Sequence, residues 1–307
     1  MREVFLGIDG GGTKTAFVLE VNKKLYEHKE KTIHLKQISR DEFFKRLKNG
    51  IEILVKKAGI EISDIDFTFL AMPGFGQFKE DESFILESLE KILGSKNFKV
   101  GNDCLNGWAG SLNANAGINL VLGTGSIGFG VDNNGNSMMC GGWGPLLGDE
   151  ASGYYIGLKI LNIFTKISDG RYEKSPIYDL LKKELEISDD FEIITLANNM
   201  QRDELASLSK IFSKAIDEND IYALNLLDDV AKEASLVINT LIKKLDFKGA
   251  VKVSYSGGVF NLGQRLLDKI EQYADDRVEI VKPFANPSIG SLILAKKFYE
   301  KGEMIWF

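Results

Sequence analysis

The sequence predicts a mixed α/β protein of two domains, and three observations lead to this fold class. The chain has 307 residues, about twice the length of a common ~150-residue domain. Short apolar runs typical of buried strands alternate with segments whose apolar residues recur at helical spacing. Two of these runs, at 4–8 and 118–122, each lead through a glycine turn into a second apolar run. We therefore expect two similarly built domains that pack around a shared cleft.

The composition is typical of a globular protein and argues against several function classes. Hydrophobic residues make up 44% of the chain and charged residues 27%. The net charge of -6 disfavours non-specific nucleic-acid binding, which needs basic surface. No apolar run approaches the ~20 residues that span a bilayer, and the first residues show no signal-peptide pattern. Only two cysteines, Cys104 and Cys140, and two histidines are present, so neither a disulfide framework nor a zinc site is expected.

In the first half, the predicted order is strand, strand, helix, strand, helix, strand. The first hairpin comprises the strands at 4–8 and 16–19, and the polar stretch 29–39 is left unassigned. Apolar residues at helical spacing predict a helix from Asp41 that Gly59 can end. The remaining elements are predicted as a strand at 67–71, a helix at 81–93 and a short strand at 98–100.

The second half begins the strand, turn and strand pattern again at residues 118–131. A glycine-rich segment follows at 140–150, and residues 151 to about 244 are predicted to be mainly helical. A late strand is expected at 251–255 and a last helix from Pro287. We assign the domains to residues 1–116 and 117–289, with a helical insertion in the second, and expect a C-terminal helix at about 290–307 to pack back on the first.

Three glycine-bearing strand ends indicate a site for an anion such as phosphate. They read Asp-Gly-Gly-Gly-Thr-Lys-Thr at 9–15, Gly-Thr-Gly-Ser at 123–126 and Ser-Gly-Gly at 256–258. Glycines let the backbone approach a ligand and direct several N–H groups into one concavity. The first turn differs from a P-loop, because it leads into a strand rather than a helix. Asp9 beside it suits magnesium, which prefers oxygen ligands. A purely structural glycine hairpin is the alternative.

These motifs are joined by Asn-Asp at 102–103, Gly-Gly-Trp-Gly-Pro-Leu-Leu-Gly-Asp-Glu at 141–150 and Asn-Pro-Ser-Ile-Gly at 286–290. The set resembles the N-acetylglucosamine kinase-like members of the BadF/BadG/BcrA/BcrD ATPase family, within the actin–hexokinase–Hsp70 superfamily. The segment at 141–150 is the most particular to this group. The resemblance implies two actin/hexokinase-like (ribonuclease H-like) domains flanking an ATP and sugar cleft, with ATP and Mg²⁺ as cofactors.

The resemblance also implies a role for each matching residue. Asp103 would be the general base at the reacting sugar hydroxyl, and Asp9 would organise magnesium. The ATP-binding residues would be Gly11, Gly12, Thr13, Lys14, Thr124 and Gly125 at the phosphates, with Gly257 and Gly258 against the adenosine. The sugar pocket would be formed by Asp103, Gly125, Ser126, Trp143, Gly144 and Asp149, with Asp149 accepting hydrogen bonds from hydroxyls. Two asparagines of the animal members have no counterpart at 32–37 and at Ile127.

Each of these sites has a structural alternative. Asp103 could cap a helix beginning at Leu105, as aspartate often does. Trp143 could be a core aromatic residue. Asp149 and Glu150 could form the acidic start of a helix, which the helix dipole favours.

The implied activity is transfer of the ATP γ-phosphoryl group to the 6-hydroxyl of N-acetylglucosamine or a related amino sugar. We expect a cytoplasmic enzyme that binds ATP and a small sugar, with no nucleic-acid or membrane partner. Both a monomer and a homodimer are compatible with the sequence. One alternative is a kinase for N-acetylmuramic acid, N-acetylmannosamine, glucosamine or glucose. Another is a non-catalytic sugar sensor.

A third alternative is the ATPase activator of a 2-hydroxyacyl-CoA dehydratase, which holds an iron–sulfur cluster between two subunits. Such activators carry a cysteine within Lys-Cys-Ala-Ala-Gly-Thr-Gly. Neither Cys104 nor Cys140 has this context. Both cysteines are expected to be small buried hydrophobic residues.

Overall fold

The computed structural model describes residues 3–76 and 79–302 of the chain. These residues form two compact units. The first unit contains the described residues of 1–119, 133–137 and 282–307, and the second contains 120–132 and 138–281. The end of the predicted C-terminal helix, residues 303–307, lies outside the described residues.

The first sheet has five strands in the order β3-β2-β1-β4-β5. The pairs β1·β2 and β2·β3 are antiparallel, whereas β1·β4 and β4·β5 are parallel. The central strand β1 is buried along almost its whole length, which explains its nearly continuous apolar sequence. The strands are β1 (Val4–Gly10), β2 (Lys14–Val21), β3 (Lys24–Lys31), β4 (Phe67–Met72) and β5 (Phe98–Asn102).

Strand β3 is an element that the sequence analysis missed. Its sequence, Lys-Leu-Tyr-Glu-His-Lys-Glu-Lys, is mostly charged, and no residue in it is fully buried. It lies at the edge of the sheet, joined to β2 by a tight turn in which Asn22 and Lys23 have positive φ. Charged side chains are a common protection for an exposed sheet edge. Because this strand buries little, it lacks the apolar alternation by which strands are recognised.

Three helices follow in the first half: α1 (Arg40–Ala58), α2 (Lys79–Leu93) and α3 (Asp103–Leu112). Both ends of α1 are marked by capping residues. The side chain of Ser39 accepts a hydrogen bond from the Glu42 N–H, and Gly59 ends the helix in the left-handed conformation at φ 66°. The predicted start near Asp41 and stop at Gly59 are therefore confirmed.

The second sheet repeats the strand order of the first. Read from its β8 edge, its order is β8-β7-β6-β9-β10. In that direction β7 and β6 hold the places that β2 and β1 hold in the first sheet. The predicted repeat of the strand, turn and strand unit is therefore confirmed, whereas the short strands β8 and β10 were missed. The strands are β6 (Gly117–Leu122), β7 (Ser126–Val131), β8 (Ser137–Gly141), β9 (Val251–Ser256) and β10 (Val278–Val281).

The stretch between β8 and β9 is mainly helical, as predicted. The longest of these helices, α9 (Ile221–Lys244), has its buried residues at helical spacing. The side chain of Asp220 caps its first turn. No described helix is long and apolar enough to cross a membrane. The helices are α4 (Gly153–Ser168), α5 (Pro176–Leu185), α6 (Glu192–Asn199), α7 (Arg202–Ser207), α8 (Ser209–Asp217) and α9 (Ile221–Lys244), with α10 (Gln264–Tyr273) between β9 and β10.

The last helix, α11 (Pro287–Lys301), lies against β1 and α3 within the first unit. Asn286 caps it by accepting the Ile289 N–H at 3.0 Å. The approach to α3 is close, because a Cβ on Gly290 would lie 2.6 Å from the Gly110 nitrogen. The Ser291 hydroxyl donates to the backbone oxygen of Ile8 in β1 at 2.9 Å. This packing places α11 directly behind the end of the first strand.

Candidate functional site

Two carboxylates and one amide form a polar centre in the first unit. Asp9 lies near the end of β1, and Asp103 is the first residue of α3, directly after β5. Because β1, β4 and β5 are parallel, their carboxyl ends meet at the same edge of the sheet. From α3, Asn106 Nδ2 donates to Asp9 Oδ1 at 2.8 Å. The first strand and α3 thus bring together Asp9, the predicted magnesium ligand, and Asp103, the predicted general base.

Asp103 is not the cap of α3. The cap is Asn102, whose side chain accepts the Cys104 N–H at 2.9 Å. The alternative in which Asp103 caps a helix beginning at Leu105 is therefore wrong. A role in capping does not account for an aspartate at this position.

The environment of Asp103 favours its protonated form up to near-neutral pH. Burial, followed by the nearby charge of Asp9, raises the pKa of Asp103 to about 6, against the opposing effect of backbone hydrogen bonds at 103 and 104. Burial also raises the pKa of Asp9, while the hydrogen bond from Asn106 and the charge of Lys14 lower it. A carboxylate tuned to this range is suited to proton transfer, which is most effective when the group's pKa lies near the working pH.

Asn106 is a site residue that the sequence analysis missed. Its side chain is fully buried, and Nδ2 also lies 3.1 Å from both the Pro287 backbone oxygen and the Ser291 hydroxyl of α11. Its Oδ1 has no hydrogen-bond partner among the described residues. These contacts fix the amide so that its N–H points at Asp9. The only signal in the sequence was the spacing of three from Asp103, which puts both residues on one side of a helix.

This centre fits a magnesium ion carried by a nucleotide better than a metal cage built by the protein. Within the described ranges, no group of three or more histidine, cysteine, aspartate or glutamate side chains could hold a metal. Magnesium is usually bound through one or two carboxylates, with water and substrate phosphates completing its shell. Asp9 and Asp103 can supply those carboxylates. The donor set therefore fits the predicted role of Asp9.

The first glycine turn joins β1 and β2 and exposes three of its residues. The Gly11 N–H donates to the Lys14 oxygen at 3.0 Å, so it closes the hairpin rather than facing a ligand. Beyond it, Gly12, Thr13 and Lys14 are exposed. A Cβ on Gly12 would meet only Gln37, at 3.9 Å, so the space beside this residue is open. Of the four residues predicted at the phosphates here, the three exposed ones have groups free to bind.

The second glycine turn is held by the start of α4. The Gly153 N–H donates to the Gly123 oxygen at 2.8 Å, and the Tyr154 N–H to the Thr124 oxygen at 3.3 Å. No hydrogen bond among the described residues uses the N–H of Thr124 or Gly125. The turn therefore has its carbonyl oxygens bonded and two N–H groups available for an anion.

Asp149 lies behind this turn and is paired with an arginine. Its residue is 2% exposed, with φ at 58°. The Ser126 N–H donates to Oδ1 at 3.4 Å, and Arg202 Nη2 donates to Oδ2. The alternative in which Asp149 begins a helix is wrong, because α4 is capped by Ser152 and has no acidic residue in its first turn. Arg202 was not predicted, because it lies outside every motif that carries the family resemblance.

Trp143 is not a core residue. It is 75% exposed, and Leu146 and Leu147 in the same segment are also exposed. Gly142 and Gly144 on either side have φ of 75° and 84°, a conformation that residues with side chains rarely adopt. The core alternative for Trp143 is therefore wrong. Its predicted place in a sugar pocket, with Gly144, remains a prediction.

The third glycine-bearing strand end contains two glycines with different surroundings. Gly257 has φ 107°, and a Cβ there would lie 2.7 Å from the Gly123 nitrogen and closer still to the Leu122 carbonyl. A Cβ on Gly258, by contrast, would have no atom within 4 Å. Gly257 is thus required by the packing of β9 against the second glycine turn. Only Gly258 has open space in which a ligand could lie.

The cysteines do not form a reactive pair. Cys104 is buried, and burial together with the charge of Asp103 raises the pKa of its thiol. Burial likewise raises the pKa of Cys140, which is only partly buried. Both thiols are therefore held in the protonated form, which is the weaker nucleophile and metal ligand.

Comparison with solved structures identifies the fold. A protein from Chromobacterium violaceum superimposes with a TM-score of 0.76, at 23% identity, over 95% of this chain and 99% of that one. A ROK hexokinase from Thermus thermophilus gives a TM-score of 0.61, at 17% identity, over 96% of this chain and 98% of that one. The chain thus has the two-sheet α/β fold of actin-like and ROK sugar kinase structures, as predicted.

The family follows from sequence comparison. The model of the BadF/BadG/BcrA/BcrD ATPase family matches residues 6–295, and the chain belongs to this family. An N-acetyl-D-glucosamine kinase from Dictyostelium discoideum is 30% identical over 96% of this chain and 98% of that protein. An N-acetylmuramic acid/N-acetylglucosamine kinase from Clostridium acetobutylicum is 28% identical over 95% of this chain and 97% of that protein.

Proposed function

We propose that this protein is an ATP-dependent sugar kinase that transfers the γ-phosphoryl group to the 6-hydroxyl of N-acetylglucosamine or a related amino sugar in the cytoplasm. The observation that carries the proposal is Asp103, a carboxylate with a pKa of about 6 at the strand edge that also holds Asp9. It occurs in an ATPase family in which two relatives act, by name, on N-acetylglucosamine.

The proposed chemistry assigns proton transfer to Asp103. Phosphoryl transfer requires the protein mainly to position the reactants and to stabilise charge. A sugar hydroxyl is a poor nucleophile at neutral pH, and Asp103 accepts its proton as it attacks. Asp9, oriented by Asn106, would hold the magnesium of the nucleotide. When bound, that ion neutralises negative charge on the β- and γ-phosphates.

The glycine turns bind the nucleotide in this proposal. Gly12, Thr13 and Lys14 are exposed at the first turn and contact the phosphates. At the second turn, the N–H groups of Thr124 and Gly125 do the same. Gly258 lies against the adenosine, for which its open side offers room.

The sugar is bound in this proposal by Ser126, Trp143, Gly144 and Asp149. Arg202 and the Ser126 N–H use only part of the hydrogen-bonding capacity of the Asp149 carboxylate, which can accept about four hydrogen bonds. Asp149 therefore keeps acceptor capacity for a sugar hydroxyl, which would have to reach it through the 3% of the side chain that is exposed. Trp143 offers an exposed aromatic face, which suits the apolar face of a sugar ring or an N-acetyl methyl group.

N-Acetylmuramic acid is a second candidate substrate, because the relative from Clostridium acetobutylicum is named for both sugars.

Product analysis tests the proposed transfer to the 6-hydroxyl. The protein is incubated with ATP, magnesium and each sugar, and the phosphorus–proton couplings of the product are measured by NMR. We expect a phosphate monoester coupled to the two protons on carbon 6. Coupling to the anomeric proton, or no sugar phosphate at all, would contradict the proposed transfer.

Gly12→Val should weaken ATP binding by at least about tenfold without loss of stability. A side chain at an exposed phosphate-binding glycine blocks the close approach of the ligand, while the open space beside Gly12 lets the fold accept it. Calorimetric titration with a non-hydrolysable ATP analogue measures the affinity, and thermal unfolding checks the fold. Gly12→Ala serves as the graded control and should lose less affinity. Wild-type affinity in the valine variant would show that the turn does not bind phosphate.

Asp103→Asn should raise the stability of the metal-free protein at neutral pH. Because the folded pKa of Asp103, about 6, exceeds its ordinary value of 3.8, folding favours the protonated form. The wild type therefore loses stability as pH rises through this window, and the asparagine variant does not. We expect the variant to gain about 3 kcal/mol at about pH 7.5 and little near about pH 4. Urea unfolding at both pH values measures the difference, and a pH-independent difference would contradict it.

A further inference from the structure

We propose that Arg202 is a phosphate-binding residue that contacts the phosphoryl group being transferred at the second glycine turn. This inference rests on the proposed kinase function. Arg202 is the first residue of α7, in the helical stretch that distinguishes the second half of the chain from the first. Its side chain reaches back by 53 residues in sequence to the carboxylate of Asp149.

The guanidinium has hydrogen-bond donors to spare. It carries five N–H donors, and among the described residues only Asp149 accepts one of them. The side chain remains 44% exposed, so a ligand can reach it. A planar guanidinium matches the oxygens of a phosphate in a two-point geometry that lysine cannot provide.

The position of the Arg202 guanidinium is fixed by its hydrogen bond to Asp149. Asp149, which anchors it, is almost fully buried and is itself held by the Ser126 N–H. Anchoring by a buried carboxylate means that less side-chain freedom is lost when a ligand binds, and preorganised donors of this kind contribute most to stabilising developing charge.

Gly125 brings this guanidinium next to the turn. A Cβ on Gly125 would lie 2.5 Å from Arg202 Nη2 and 3.0 Å from Asp149 Oδ2. The absence of a side chain therefore allows the arginine to reach the backbone of the turn, beside the available N–H groups of Thr124 and Gly125. Two backbone N–H groups and a cation at one point form a binding site for an oxyanion.

Other arginine–carboxylate pairs of the second unit differ from this pair. Arg171 and Arg277 bind aspartates two residues away, and Arg265 binds Asp217 from 48 residues away. In all three pairs each partner is substantially exposed. Exposed pairs of this kind contribute little. The Arg202 pair instead joins a buried acid and a distant helix at a glycine turn. The competing explanation is that Arg202 only tethers α7 to the turn.

The test compares Arg202→Gln and Arg202→Lys with Arg171→Gln, which removes an arginine from an exposed pair. Because Arg202→Gln leaves a buried carboxylate without its partner and can destabilise the fold, Asp149→Asn is compared with the double variant Asp149→Asn/Arg202→Gln. In this background the buried charge is absent. Steady-state kinetics with N-acetylglucosamine, and separately with N-acetylmuramic acid, which carries a carboxylate, give kcat and the KM for ATP. Calorimetry gives the affinities for a non-hydrolysable ATP analogue and for AMP.

We expect loss of Arg202 to lower kcat/KM for ATP by at least about a hundredfold in the wild-type background. In the Asp149→Asn background, where the guanidinium has lost its charged anchor, the loss should be smaller but still present. Lysine should restore part of the loss. Affinity for the ATP analogue should fall while affinity for AMP, which lacks the outer phosphates, is unchanged. Kinetics equal to those of Arg171→Gln would overturn the inference. So would a loss that disappears in the Asp149→Asn background, which would identify a tether, or a loss confined to N-acetylmuramic acid, which would assign Arg202 to the sugar carboxylate.

Failure of the proposed function is distinguishable from failure of this inference. If the wild type phosphorylates no sugar, the kinase proposal fails. The calorimetric comparison then still decides whether Arg202 binds the outer phosphates: an unchanged affinity for the ATP analogue in Arg202→Gln contradicts the inference, and a selective loss supports it.

Discussion

Asp103→Asn is expected to lower kcat by at least about a hundredfold while the affinities for ATP and sugar stay close to those of the wild type. A positioned base contributes roughly a hundred- to ten-thousand-fold to a proton transfer of this kind. Asparagine keeps the shape of the side chain and can hydrogen-bond the hydroxyl, but it cannot readily accept the proton. An interaction made only in the transition state affects kcat rather than binding. Single-turnover phosphorylation by the folded variant measures the step directly.

Asp41→Asn is the matched control for this variant. Asp41 also lies in the first turn of a helix in the first unit, but it is exposed, and no site is proposed around it. The Asp41→Asn variant should phosphorylate sugar at the wild-type rate. If Asp103→Asn does so too, Asp103 is not the base, and the proposed mechanism is wrong.

Gly257→Ala is expected to cause the largest loss of stability among single alanine substitutions at the glycine-bearing strand ends. Gly257 has a positive φ of 107°, and a Cβ would collide with backbone atoms of Leu122 and Gly123 rather than with a movable side chain. Left-handed strain alone costs about 1–3 kcal/mol for a residue with a side chain. With the collision added, we expect a loss of about 3 kcal/mol or more in the free energy of unfolding. Urea unfolding followed by circular dichroism measures it.

The adjacent glycine provides the control. Gly258→Ala places its methyl group where no atom lies within 4 Å, and its φ is not in the left-handed range. This variant should unfold at nearly the wild-type urea concentration. Equal destabilisation of the two variants would contradict the different surroundings that we describe for these neighbours.

The elements that the sequence predicted are those whose residues carry a local signal. The buried strand β1 is a continuous apolar run, and α1 has apolar periodicity with Gly59 at its end. The strand β3 was missed because an edge strand with charged residues has no such pattern. The glycine turns were recognised for the same local reason, since Gly12 and its neighbours lie together in the sequence.

The parts of the site that escaped prediction are made by contacts between distant segments. Asn106 is defined by Asp9 and Ser291, which lie 97 and 185 residues away. Arg202 is defined by Asp149, and no local pattern in its short helix indicates that pair. The cap at Asn102 was likewise mistaken for a possible cap at Asp103, because both residue types favour this position. Only the folded backbone decides which of the two is used.

Sugar-dependent release of ADP is the decisive measurement for the proposed kinase activity. The purified protein is given ATP and magnesium with N-acetylglucosamine, N-acetylmuramic acid, N-acetylmannosamine, glucosamine or glucose, and ADP is followed in a coupled assay. We expect ADP release that depends on the sugar and is fastest with an N-acetylated amino sugar, with one ADP formed for each sugar phosphate. Release of ADP at the same rate with and without every sugar, or no release at all, would contradict it.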